Sequence, residues 1–208
     1  SPSAATLPAV IRPLDEGGAS FDSKLLVPAE TVDTVCFVVI TADRGLAGAY
    51  NSSIIRKVEK AMLAEQRAGR QTRLITVGKK SLSYFKFRGY DIEASYQGFS
   101  ETPSYDDAKM VATHVLEHFE SGAYQQVRLG YTQFLTASSQ NADIVAYMPL
   151  ELDAVQADGE GPTADYEYEP DPTEILERLL PRYAEAKLFA ALLDERALFL
   201  GQWGLRGQ

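Results

Sequence analysis

The chain has 208 residues, of which 45% are hydrophobic and 24% charged, and 29 acidic against 20 basic side chains leave it at −9. That length and apolar share support one sizeable core and exclude a disordered chain. The acidic balance excludes nucleic acid as the main partner, because neutralising phosphates takes clustered Lys and Arg. A single cysteine, Cys36, permits no internal disulfide, which fits a reducing compartment. No run approaches the roughly 18 apolar residues of a membrane span, and the first residues lack the basic-then-apolar pattern of a signal peptide. Any membrane association is therefore expected to be peripheral, through a partner.

Residues 1–32, rich in Pro, Ser, Ala and Gly, read as an irregular lead-in. VCFVVIT, 35–41, has no polar alternation and predicts a strand covered on both faces. Asn51 reads as the N-cap of a helix whose inner face is Ile54, Ile55, Val58, Ala61 and Met62, with Arg56, Lys57, Glu59 and Lys60 outside. RLITVG, 73–78, is a second strand, KSLSYFKF, 80–87, a short helix, and YDIEASYQGF a short strand entering a loop. Pro103 and Ser104 open a third helix, with Asp107 placed to complete a capping box and Ala108, Val111, Ala112, Val115, Leu116 and Phe119 as its core stripe.

Two further strands follow, at 126–134 and 142–150, the second returning antiparallel. From Thr173 a long helix is expected, with Ile175, Leu176, Leu179, Leu180, Tyr183, Ala186, Ala190, Leu193 and Ala197 at three- and four-residue steps. Pro181 should kink or restart it, and Gly201, Gly204 and Gly207 should stop it early. The order predicts an α/β fold, a mostly parallel sheet with helices on both faces followed by a C-terminal helix.

Three stretches carry possible chemistry. DRGLAGAYN, 43–51, lies between a strand and a helix, where phosphates collect. Its glycines, Gly45 and Gly48, fit neither GxGxxG nor GxxxxGK[ST], so a tight turn is the plainer reading. His114, Glu117 and His118 form HxxEH, the inverted spacing of zinc hydrolases. Those are the only two histidines in the chain and no third ligand is marked, so a solvated helix face is the plainer reading and no metal is assigned. DYEYEPDP, 165–172, places Tyr166 and Tyr168 on one side of an extended segment with carboxylates between them. Acid–base work is one reading, a contact surface another, and a surface loop the plainest. No catalytic residue and no cofactor is assigned.

Three motifs in order then resemble one family, the γ subunit of F-type ATP synthases. They are Asp43-Arg44-Gly45-Leu46-Ala47-Gly48-Ala49-Tyr50-Asn51, close to DRGLCGGYN; Val77-Gly78-Lys79-Lys80; and Asp165 to Tyr183, close to DYxYEPDPxxxLxxLLPRY. YQGFSETPSYDDA, 96–108, is similar to the bacterial form of the same region. The resemblance runs from about residue 33 to about 193 and implies a Rossmann-like body that keeps the fold without a cofactor. It implies a non-catalytic rotor, with partners in the α and β head subunits, the ε subunit and the c-ring, lying peripherally at the cytoplasmic membrane face, or at the matrix face of a mitochondrion.

By the same resemblance Asp43, Arg44 and Ala47 lie near the acidic levers of β, and Tyr166, Tyr168 and Glu169 near the c-ring and ε foot. Ala47 stands where the family usually has cysteine, and Ala49 where it often has glycine. The division expected is a lead-in at 1–32, a body at 33–172, and a C-terminal helix with a divergent tail at 173–208, without most of the paired shaft helices. Such a body would leave Leu188, Phe189, Leu192, Phe199 and Leu200 partly unburied. A γ-like module that docks without rotating, and a metal- or nucleotide-dependent enzyme, are the competing readings.

Overall fold

The computed structural model describes residues 23–44, 49–99, 101–151 and 171–206. Among the described residues nine elements follow one another: β1 Thr34–Ile40, α1 Ala49–Arg67, β2 Gln71–Val77, α2 Lys79–Phe87, β3 Ala94–Tyr96, α3 Tyr105–Glu120, β4 Gln126–Thr136, β5 Ser139–Met148 and α4 Pro172–Arg206. The strands form one sheet in the order β3-β2-β1-β4-β5. β1 pairs in parallel with β2 and β4, β2 with β3, and β5 returns antiparallel on β4. The expected α/β architecture is thus present, including the antiparallel return.

Every residue of β1 is buried, as its unbroken apolar run predicts. Its alternate side chains feed two cores. Val35, Phe37 and Val39 meet Ile54, Ile55, Val58 and Met62 of α1 and Phe85 of α2. Cys36, Val38 and Ile40 face the opposite core, built from α3, α4 and the turn residues Leu25 and Leu26. The helix α3 starts on the expected capping box: the Asp107 N–H donates to Ser104 Oγ at 3.1 Å, and the Ser104 N–H to Asp107 Oδ2 at 2.8 Å.

Four sequence expectations need correction. Asn51 is not an N-cap, because α1 already begins at Ala49; its Oδ1 instead accepts the Ala42 N–H at 3.1 Å and fastens the helix to the end of β1. Glu59 is not on the solvent face. It is buried, accepting from Tyr84 Oη and Arg88 Nε, each at 2.7 Å, and so joins α1 to α2. The helix α4 neither restarts at Pro181 nor stops at Gly201; it is assigned as one helix of 35 residues, about 52 Å long at 1.5 Å per residue. Gly201 lies against Phe134 and Ala137, so the helix continues through a residue of poor propensity where it packs beside β4.

The fourth correction concerns which face of α4 is inside. Beyond Leu180 the buried positions are Ala184, Glu185, Ala186, Leu188, Ala191, Leu192, Glu195 and Leu198, while Ala190 and Leu193 are exposed. Leu188 and Leu192 are therefore fully covered, and of the apolar residues expected to be left partly open only Leu200 is exposed, with Phe189 and Phe199 half-buried.

Burial alone would raise the Glu59 pKa, but the hydrogen bonds from Tyr84 and Arg88 outweigh it and hold the carboxyl below its ordinary value of 4.5. The charged form is therefore favoured by folding. That contribution is complete above pH 4.5 and fades as pH falls through the lower, folded-state value. The variant Glu59→Gln is expected to lose about 2 kcal/mol at pH 7. Its deficit against the parent chain should shrink in urea titrations below pH 4.5. A deficit constant down to pH 3 would assign the effect to packing alone.

Candidate functional site: the strand-end rim at Asp43 and Arg44

In a sheet of this order ligands gather beyond the strand C-termini, at the point where successive crossovers reverse direction. Here that point lies between β1 and β4. The chain leaves β1 toward β2 and β3, then crosses back through α3 to β4. The crevice is already filled. Leu192, Glu195 and Leu198 of α4 are each at most 2% exposed. Leu198 packs with Ala42, just past β1, and with Phe134 of β4. Between Ile40, Thr41 and Gly78 on one side and Leu192 and Glu195 on the other, no water-sized space remains.

The loops after β1 and β2 are tied to each other. The Thr41 N–H donates to the Val77 carbonyl at 2.8 Å and the Lys80 N–H to the Ala42 carbonyl at 3.1 Å. Thr41 Oγ1 donates to Ser81 Oγ at 2.9 Å and accepts the Ser81 N–H at 3.0 Å. Gly78 sits at φ 104°, and a Cβ there would run into the carbonyl oxygen of Thr41. The glycine of the VGKK motif is thus the point where two loops touch backbone to backbone.

Asp43 occupies the place an anion would take. Its Oδ1 accepts the Lys79 N–H at 3.2 Å, at the first residue of α2, and its Oδ2 accepts the Gly98 N–H at 2.9 Å. A helix N-terminus attracts anions, and that of α2 is met here by the chain's own carboxylate. Arg44, next in sequence, is 77% exposed and reaches Glu101 Oε1 at 3.5 Å, a loose surface pair of small energetic weight. These residues line an open cleft of about 220 Å³ whose far wall is Phe199 of α4.

Of the residues singled out by sequence, Asp43 and Arg44 share this rim, whereas Ala47, Gly45 and Gly48 lie outside the described residues, as do Tyr166, Tyr168 and Glu169. His114 and His118 lie on α3 with Glu117 exposed beside them; the carboxylate they share a site with is Glu93, which sequence spacing did not mark. Sequence reading also missed Leu192, Glu195 and Leu198 as the cover of the strand ends. Their three-residue spacing was available as a signal, but Glu195 made that face look polar.

Fold and site together define a doubly wound α/β protein in which the usual ligand crevice is closed by a C-terminal helix. Comparisons with known proteins agree. The family model described as ATP synthase matches residues 1–198. The ATP synthase gamma chain of Parafrankia sp. (strain EAN1pec) is 39% identical over 165 residues, 77% of this chain and 55% of that one. The ATP synthase gamma chain of Heliobacterium modesticaldum is 38% identical over 177 residues, 83% of this chain and 60% of that one. Among solved structures, a chain from the Tetrahymena thermophila mitochondrial ATP synthase central stalk and c-ring shares the fold, with a TM-score of 0.64 at 23% identity, covering 96% of this chain and 92% of that one. The chain belongs to the ATP synthase family, and its relatives there are gamma chains. It spans between 55% and 60% of the length of these two curated relatives.

Proposed function

We propose that the chain is the body of a central-stalk γ subunit, a non-catalytic rotor that couples ion-driven turning of a c-ring to ATP synthesis in an α/β head. The observation that carries this reading is the closed crevice. A γ-like sequence is combined with a doubly wound sheet whose strand ends are covered by α4 and whose α2 N-terminus is occupied by Asp43. Within it, residues 33–172 form the body, and 173–208 begin a shaft helix. Arg44 stands exposed at the rim, where a cation can meet the acidic levers of β, while Asp43 holds the loop from beneath. By resemblance, Ala47 belongs to the same contact, and Tyr166, Tyr168 and Glu169 to a contact with the c-ring and ε.

Among the described residues no helix is long and apolar enough to cross a membrane. Attachment on the cytoplasmic face of a bacterial membrane, or on a mitochondrial matrix face, then runs through the c-ring.

The test is affinity capture of the full chain from its native extract, with mass spectrometry of the partners and Arg44→Glu in parallel. Recovery of α, β, ε and c subunits is expected, with retention of α and β weakened roughly tenfold at low salt by the charge reversal. Reproducible recovery of an unrelated protein without those subunits would instead make the chain a docking module with a borrowed fold.

A further inference from the structure

The structure places two histidines and a carboxylate around one point, away from the strand-end rim. His114 and His118 stand one turn apart near the end of α3, with ring centroids 4.1 Å apart and planes 23° from parallel. Glu93 comes from the segment before β3 and is anchored by its own N–H, which donates to the Leu74 carbonyl at 2.8 Å. One ligand atom from each of Glu93, His114 and His118 lies within 4.8 Å of the other two. Ligand atoms on a tetrahedral zinc ion are about 3.4 Å apart, given bonds near 2.1 Å. The cluster is therefore one small side-chain adjustment from coordination geometry.

The hydrogen bonds around it orient the donors. His118 Nδ1 lies 2.8 Å from the His114 carbonyl, which fixes Nδ1 as the protonated nitrogen and leaves the Nε2 lone pair for a ligand. Nε2 of His118 has no hydrogen-bond partner among the described residues. His114 Nε2 already sits 2.8 Å from Glu93 Oε2, and Tyr124 Oη donates to the same oxygen at 3.3 Å. The other carboxylate oxygen faces Arg73 at 3.6 Å, whose half-exposed side chain is free to turn toward solvent. The end of α3 adds the negative pole of its dipole, which favours a cation there.

We propose that Glu93, His114 and His118 form a binding site for one divalent transition-metal ion of the zinc type, with water completing the shell. Two imidazoles and one carboxylate suit Zn²⁺ over Mg²⁺ or Ca²⁺, which prefer oxygen ligands. On binding, any proton shared between His114 Nε2 and Glu93 passes to solvent, and the ion takes its place. The ion would clamp α3 to the segment leading into β3. The site has no link to the rotor reading and stands or falls separately.

Calorimetric titration of the purified, tag-free full chain with Zn²⁺ tests it, alongside His118→Ala and Glu93→Gln. One ion per chain is expected, with binding weakened roughly tenfold or more in each variant. A rise in Tm of about 5 °C should appear for the parent chain in a hundredfold excess over Kd and be absent for His118→Ala. Because His118 is only partly buried, the metal-free melt of His118→Ala should match the parent, which separates loss of the ion from loss of the fold. A Co²⁺ complex of the parent should show visible ligand-field absorption that His118→Ala lacks. Absence of binding at about 50 µM Zn²⁺, or equal affinity in His118→Ala, would overturn the assignment.

Discussion

Replacing Gly78 by alanine should be strongly damaging, at a cost on the order of 4 kcal/mol. Two effects add. The backbone there is at φ 104°, ψ 145°, a region that L residues rarely enter. The new methyl group would also collide with the carbonyl of Thr41, a backbone atom with little freedom to withdraw, because the Thr41 N–H is itself bonded to Val77. Gly89 and Gly122 supply the control. Both have positive φ, yet a Cβ on either meets nothing within 4 Å. Their alanine variants should lose only about 1 kcal/mol, the backbone preference alone. Urea titrations of the three variants read the difference directly. A Gly78→Ala chain within 1 kcal/mol of the Gly89→Ala chain would mean that the two loops are not held together as described.

Leu188→Ala should cost about 3 kcal/mol, in the range for a buried leucine truncated in a core that cannot collapse around the gap. Leu188 is completely buried on α4, within the core that α4 shares with α3 and the sheet. Leu200→Ala, twelve residues along on a half-exposed position, should stay within about 0.5 kcal/mol. The measurement is the urea midpoint at unchanged slope. Equal effects at the two positions would show that α4 is not packed on the body in solution.

The same helix marks the border of what sequence could tell. β1 and α3 were legible because their patterns admit one reading: an uninterrupted β-branched run, and a capping box followed by an apolar stripe. In α4 the residues Leu179, Leu180, Tyr183, Ala184, Ala186 and Leu188 give two neighbouring faces nearly equal apolar character, so periodicity fits either. The partner surface decides, and it selects the face carrying Glu195. Glu59 was misplaced for the same reason, since its burial depends on Tyr84 and Arg88, more than twenty residues away in sequence. At the rim, the motifs identified Asp43 and Arg44, but only the folded chain shows that one is fixed inward and the other points out. Glu93 was illegible as a partner of the histidines because its distance in sequence, 21 residues from His114, has no periodic meaning.

The closed crevice has a mechanical consequence. In many doubly wound proteins the gap beyond the strands is where two halves can breathe around a ligand. Here the gap is a socket, and the inserted beam is α4 itself, gripped along successive turns by Leu188, Leu192, Glu195 and Leu198. A twist applied to the far end of such a beam reaches the sheet as a load shared over several turns, without a single hinge on which to concentrate. A load carried by α4 would then be met by the body as one piece.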